Sequence, residues 1–251
     1  MSFKKPFALL LLSVLVAFGA AAEEKDGNGK NHPYGMDIAM GIVGVNRTEI
    51  NRTDLNIVKL ERSFTGIEIV PMKINAYVCP WLGNHLGIYG SIGVVPNVDV
   101  KFKEKINGVE SKTINAAFDC GFEFMVGPAF GVDLGSSSVR FQIGVPFHVI
   151  VGGGVLFTES GWRNNRYEPD DVYGFNYSAY GIGLTPQFRF MANRRCSFVV
   201  GMDFVYDFVY NRTFEQKING VTVRESDTNG ADRTHRFAWT PYLGLGINFG
   251  D

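Results

Sequence analysis

Residues 237–249 read FAWTPYLGLGINF. Taken alternately, Phe237, Trp239, Pro241, Leu243, Leu245, Ile247 and Phe249 are apolar, whereas Ala238, Thr240, Tyr242, Gly244, Gly246 and Asn248 are small or polar or carry a polar tip. A period of two puts these sets on opposite sides of a β-strand. The same split recurs upstream. Apolar side chains hold the even positions from Ile114 to Leu134, the odd positions from Val139 to Val151, and the even positions from Tyr180 to Phe190 and from Phe198 to Tyr210. Met36–Gly44 and Leu86–Phe102 keep the rule, while in FTGIEIVPMKINAYVC (64–79) the phase slips near Ile69–Pro71, the mark of a β-bulge. The pattern predicts an all-β chain of about eight antiparallel strands.

The apolar side can point inward or outward. In a soluble sandwich or lipocalin-like barrel it forms the core, and the other side is hydrated and rich in Lys and Glu. Here the other side is mostly Gly, Ala, Thr and Asn with scattered charges, which suits the cramped interior of a small barrel. Thirteen residues at about 3.3 Å each, tilted about 40°, rise roughly 30 Å, enough to cross an outer membrane. The prediction is therefore an eight-stranded antiparallel transmembrane up-and-down β-barrel. A soluble periplasmic β-domain is the competing reading. Short connections (79–85, 133–138, 191–197) alternate with long polar ones (46–63, 103–113, 158–172, 211–235), as expected for tight periplasmic turns and long external loops.

The N-terminal stretch MSFKKPFALLLLSVLVAFGAAAEE has a basic start, a short apolar run and a small-residue site. It predicts a cleaved signal peptide over 1–22, then a polar lead (23–33) and the barrel domain (34–251), exported to a bacterial outer membrane. A formal net charge of −1 gives no electrostatic case for nucleic acid. Three cysteines cannot all pair internally. Cys79 and Cys196 can meet if their turns lie close, and Cys120 reads as a small hydrophobe on the apolar side.

The pentapeptide KINGV occurs twice, at 105–109 and 217–221. Asn-Gly favours a type I′ hairpin turn because both residues tolerate positive φ. Turns at Asn107-Gly108 and Asn219-Gly220 would set Ile106 opposite Val109 and Ile218 opposite Val221. Lys105 would face Glu110, and Glu215 would face Arg224, as favourable cross-strand charges. Strands would thus continue beyond the membrane as external ribbons. Turn chemistry alone accounts for the repeat, and nothing else aligns between the two halves to support a duplication.

The inward positions include Lys73, Glu123, His148, Arg189, Asp203 and Asp207. They are expected to form a hydrogen-bonded plug in which each buried charge has a partner. Glu123 and His148 fall at similar mid-barrel height, so an acid–base pair or proton-sensitive gate is the functional alternative. Asp133 and Arg140, with Arg189 near them, are expected as ion pairs at the periplasmic rim. Trp81, Phe190, Tyr210 and Trp239 suit interfacial girdles, although core packing calls for similar residues. Four scattered histidines predict no metal site, and no nucleophilic triad, catalytic residue or cofactor site is expected.

The terminal YLGLGINF resembles the assembly signal by which outer-membrane barrels are handed to the barrel-insertion machinery, with Tyr242, Gly244, Ile247 and Phe249 at the matching positions. Together with the strand pattern, the chain resembles the small eight-stranded barrels of the OmpA, OmpX and OmpW type. It departs from them in running on to Gly250-Asp251 and in lacking the loop motifs particular to OmpW. The resemblance implies fold and location, with outer-membrane lipid and the insertion machinery as partners. A monomer is expected, with a structural or surface-interaction role and an unnamed external ligand or small solute. A narrow conduit remains open, and so does a lipid-modifying barrel enzyme using His235, Asp232, Ser178 or Ser226.

Overall fold

The computed structural model describes residues 34–54, 58–69, 71–115, 118–134, 139–157, 172–192, 196–218, 221–226, 228–229 and 231–249. The expected signal peptide, the polar lead and Asn219-Gly220 lie outside the described residues. No helix occurs among the described residues. The strands are β1 (Tyr34–Gly41), β2 (Val43–Asp54), β3 (Val58–Ile69), β4 (Met72–Trp81), β5 (Leu86–Ile106), β6 (Val109–Asn115), β7 (Phe118–Asp133), β8 (Val139–Gly144), β9 (Phe147–Phe157), β10 (Val172–Met191), β11 (Cys196–Ile218), β12 (Val221–Ser226) and β13 (Arg233–Phe249). All pairings are antiparallel. β2 pairs β3 and β1 pairs β4; β3 and β4 both pair β5. β5 meets β6 and β7, β7 meets β8 and β9, and those two meet β10. β10 pairs β11, β11 pairs β12 and β13, and β13 returns to β1 and β2. The up-and-down strands form a ring.

Among the described residues thirteen strands stand where eight were expected, because local chemistry interrupts the ladders. Gly41 faces Tyr242 but Val45 faces Trp239, a one-residue slip around Ile42 that makes a bulge. The slip expected near Ile69–Pro71 is present: Glu68 faces Asn97, whereas Met72 faces Val94. Pro146 has no N–H to give, so β8 and β9 are separated. Val145 N–H donates to Pro128 O (2.9 Å) and Pro146 O accepts from Gly183 N–H (2.8 Å), and the ladder resumes in register.

One long connection differs from expectation: most of 46–63 is strand, in β2 and β3. As expected of hairpin ribbons, 103–106 and 109–113 are strand, and so is much of 211–235. Alternating polar sequence pairs readily when cross-strand partners complement one another, as Arg62 Nε and Glu104 Oε2 do at 2.9 Å.

Apolar residues face outward. Leu245 is 71% exposed, Ile38 66% and Phe122 64%, while their sequence neighbours alternate inward. Two residues depart from the expected phase. Tyr180 faces Val209 but Gly181 faces Asp207, so β11 bulges there and turns Tyr210 inside, away from any girdle. A second slip, between Thr65–Lys101 and Ile67–Val98, turns Phe102 inside. Trp81, Phe190 and Trp239 remain outward. No disulfide joins the three cysteines: Cys79 is buried and Cys196 exposed. Cys79 and Cys196 thus face opposite sides of the wall, and the pairing considered from sequence does not form.

Candidate functional site

The enclosed interior is built in three tiers between the two ends of the ring. The first tier lies nearest the described chain ends, Tyr34 and Phe249. There Arg189 Nη2 donates to Asp37 Oδ1 (2.6 Å), Nη1 to Asn248 Oδ1 (2.7 Å) and Ser197 Oγ (3.0 Å), and Nε to Gln142 Oε1 (3.3 Å). Gln187 Nε2 donates to Gln142 Oε1 (2.8 Å), and Tyr242 Oη donates to Gln187 Oε1 (3.0 Å). Arg140 Nη1 pairs with Asp133 Oδ1 at 2.9 Å, and its Nη2 donates to Asn84 O. Arg189 lies opposite Arg140 in the ladder, within the expected cluster, but it does not pair with Asp133. Its partner is Asp37, because ring closure brings β1 across from β10.

The middle tier holds most of the charge. Lys73 Nζ pairs with Asp203 Oδ2 and lies 3.8 Å from the centre of the Tyr242 ring. His148 Nδ1 hydrogen-bonds Asp207 Oδ1 (2.6 Å), and its Nε2 meets Glu123 Oε2 (3.2 Å). Arg236 bridges Asp207 Oδ2 (3.0 Å) and Glu68 Oε1 (3.2 Å), and Thr240 Oγ1 donates to Glu68. Gly181 stands between His148 and Asp207 in the ladder. A Cβ there would lie 2.0 Å from Tyr206 O and 2.7 Å from Asp207 Oδ1, so the missing side chain is what lets imidazole and carboxylate meet. Tyr77 and Tyr89 fill the neighbouring space with ring centres 4.7 Å apart, and Tyr77 Oη donates to Thr185 O (2.8 Å). A cavity of about 20 Å³ remains, lined in part by Glu68, Lys73, Glu123 and Asp203. That is room for a single water molecule.

The third tier, toward the hairpin ribbons, begins with Asn46 Nδ2 donating to Asn97 Oδ1 (2.5 Å) and Asn97 Nδ2 to Asp119 Oδ1 (2.6 Å). Above it Phe64, Phe102, Phe175, Tyr177 and Tyr210 are buried, with Phe214 packed against them. Arg212, 3% exposed, lies among these rings, its guanidinium carbon 3.4 Å from the centre of Phe64 and 4.4 Å from that of Phe175. Stacking of a planar cation on aromatic faces offsets part of its desolvation.

All six side chains assigned to the interior, Lys73, Glu123, His148, Arg189, Asp203 and Asp207, are buried there. Sequence reading missed Asp37, Glu68, Asp119, Arg212 and Arg236. Asp37 and Arg236 each continue an alternation already visible in their strands, Asp37 before Ala39 and Arg236 before Ala238. Arg212 was hidden by the bulge. Tyr242 and Gly244 of the terminal motif point inward, while Ile247 and Phe249 point outward. At the other end, Asn107 and Gly108 have φ of 51° and 81°, and Lys105 faces Glu110 as Ile106 faces Val109. In the second hairpin Ile218 faces Val221, and Glu215 pairs with Arg224 at 2.8 Å.

The residues considered for lipid chemistry are engaged separately. His235 Nε2 meets Glu49 Oε2 (3.3 Å), Ser226 Oγ donates to Arg212 O (3.3 Å), Asp232 N–H donates to Asn51 O (2.8 Å), and Ser178 faces Asn211 in the ladder. No hydrogen bond joins His235 to the other three among the described residues. Nor do the described residues contain a cluster of His, Cys, Asp or Glu able to hold a metal ion.

No family model matches the chain, and no curated protein sequence matches it. Among solved structures it is similar to the outer membrane protein OprG from Pseudomonas aeruginosa, at 12% identity and a TM-score of 0.47, covering 90% of this chain and 100% of that one. It is also similar to the outer membrane protease OmpT from Escherichia coli, at 10% identity and a TM-score of 0.44, covering 91% and 100%. A third is a major outer membrane protein from Thermus thermophilus, at 14% identity and a TM-score of 0.45, covering 84% and 99%. At such similarity no residue role or activity carries over, and the fold stands on its own strand pairings. Chemically, most of the described interior charges are paired and the rings packed, but Arg140 Nε, Asp203 Oδ1, and Arg212 Nε and Nη1 are buried without a hydrogen-bond partner among the described residues, and the cavity beside the middle tier is water-sized.

Proposed function

We propose that the chain is an eight-stave barrel of a bacterial outer membrane, with a plugged lumen and a structural or surface-interaction role carried by its external ribbons. The staves are β1 with β2, β3 with β4, β5, β6 with β7, β8 with β9, β10, β11, and β12 with β13, because each such group keeps the same two neighbours. One observation carries the reading: exposed apolar side chains surround a buried set of charged ones, the reverse of a water-soluble protein. The apolar band on β13 runs outward from Trp239 to Phe249, about 25 Å at a 40° tilt, which fits a hydrocarbon core. The short turns then face the periplasm, and the Asn107-Gly108 ribbon faces outside.

Leu245→Arg tests this directly. At a lipid-facing site near the middle of the band, a charge costs about 2–4 kcal/mol; on a soluble protein, the same change at a residue 71% exposed costs no more than about 0.5 kcal/mol. Urea titration of protein folded into phosphatidylcholine vesicles measures the difference. The wild type should also resist carbonate extraction and migrate differently boiled and unboiled. Release by carbonate together with a neutral Leu245→Arg would sink the reading.

A further inference from the structure

Where each outward apolar run ends toward the ribbons, the next outward side chain differs around the ring. On β2 it is Arg47 after Val45, on β3 Thr65 after Ile67, and on β5 Lys101 and then Lys103 after Val98. On β10 it is Ser178 after Tyr180, and on β11 Asn211 after Phe208. Among these five strands, positive charge at this level is thus gathered on the neighbouring β2, β3 and β5. Arg47, Thr65 and Lys101 are lateral neighbours, as are Glu49, Ser63 and Lys103 one pair further out. Adjacent strands lie about 4.8 Å apart, so Arg47 and Lys101 flank Thr65 across roughly 10 Å. Arg47, Lys101 and Lys103 are exposed. The one carboxylate among them, Glu49, is held by Arg47 (2.6 Å) and His235 (3.3 Å).

We propose that this patch binds the phosphate of an outer-leaflet lipid headgroup, on the barrel wall over Thr65. The inference rests on the membrane reading above and adds a specific lipid contact to it. The occupant follows from position and charge. A lipid beside Val45, Ile67 and Val98 places its headgroup at the first polar row, and there two cations and two hydroxyls, Thr65 and Ser63, surround one spot. Arginine takes phosphate oxygens through paired N–H groups, and lysine adds a mobile point charge. A hydrated ribbon with no lipid partner has no need to collect its cations at the hydrocarbon edge.

The test uses full-length protein folded in phosphatidylcholine bicelles doped with bis-phosphorylated lipid A or with its dephosphorylated form, followed by native mass spectrometry of retained lipid. The wild type should retain the phosphorylated form with a preference on the order of 100-fold, as expected for three interfacial cations. Arg47→Gln/Lys101→Gln/Lys103→Gln should lose most of that preference. Lys59→Gln/Lys105→Gln, which removes charge at the ribbon tip, should keep it. Inorganic phosphate at millimolar concentration should not displace the lipid. Equal retention of both lipids, an unchanged triple variant, or displacement by inorganic phosphate each overturns the site. Boiled and unboiled migration of every variant separates the two readings: protein that inserts without phosphate preference removes this site alone, and wild type that fails to insert removes the barrel reading with it.

Discussion

At the scale of single residues, the interior depends on reciprocity. Asp207 serves both His148 and Arg236, so Asp207→Ala leaves two buried donors without their acceptor. A loss of about 3–5 kcal/mol is expected, read as a lower urea midpoint for vesicle-folded protein. The pair Lys73–Asp203 makes a finer test. Lys73→Met or Asp203→Leu alone strands a buried charge and should cost several kcal/mol, whereas the double variant should recover most of it, within about 1–2 kcal/mol of wild type. Additive losses in that cycle would mean the two charges do not act as a pair. The inward placement of Lys73, Asp203 and Asp207 is legible from a period of two. Their partners are not: Arg189 finds Asp37, far away in sequence, only because the ring closes there.

At the scale of elements, turn chemistry determines more than strand length. Asn107 supports the hairpin by its positive φ, and it also ties the hairpin to the neighbouring ribbon. Its side-chain oxygen accepts from Lys59 N–H (2.9 Å), and its own N–H donates to Lys59 O (2.8 Å). Asn107→Gly should therefore preserve the β5–β6 turn while freeing the Lys59 amide, with hydrogen exchange at Lys59 rising and that at Ile106 little changed. Gly108→Val is the harsher change, since φ of 81° strains a β-branched residue. The whole ribbon should then become accessible to protease. The KINGV pairings could be read from sequence because a two-residue turn dictates its own register. The extension of β2 and β3 through 46–63 could not, since a polar run becomes strand only when a partner strand lies alongside.

At the scale of the whole molecule, the question is passage. Tyr77, Tyr89, Tyr242 and the ion-paired middle tier occupy the lumen, and the cavity beside that tier is about 20 Å³. Liposomes carrying the wild type should swell in small sugars no faster than empty ones. Arg212→Ala, which removes the guanidinium from the aromatic tier, should also stay closed because the middle tier is intact below it. Measurable sugar flux through the wild type would show that the tiers part in a membrane, and the plug would then be a gate.

The sequence by itself determined the strand class, the alternation of faces up to each bulge, the slip near Pro71 and the hairpin tip at Asn107-Gly108. Each of these follows from backbone geometry within a few residues. Only the tertiary structure decided which charge meets which, that Tyr210 and Phe102 turn inward past bulges, and that Cys79 and Cys196 lie on opposite sides of the wall. Those outcomes depend on register between strands distant in the chain, and one extra residue on one strand inverts every side chain beyond it.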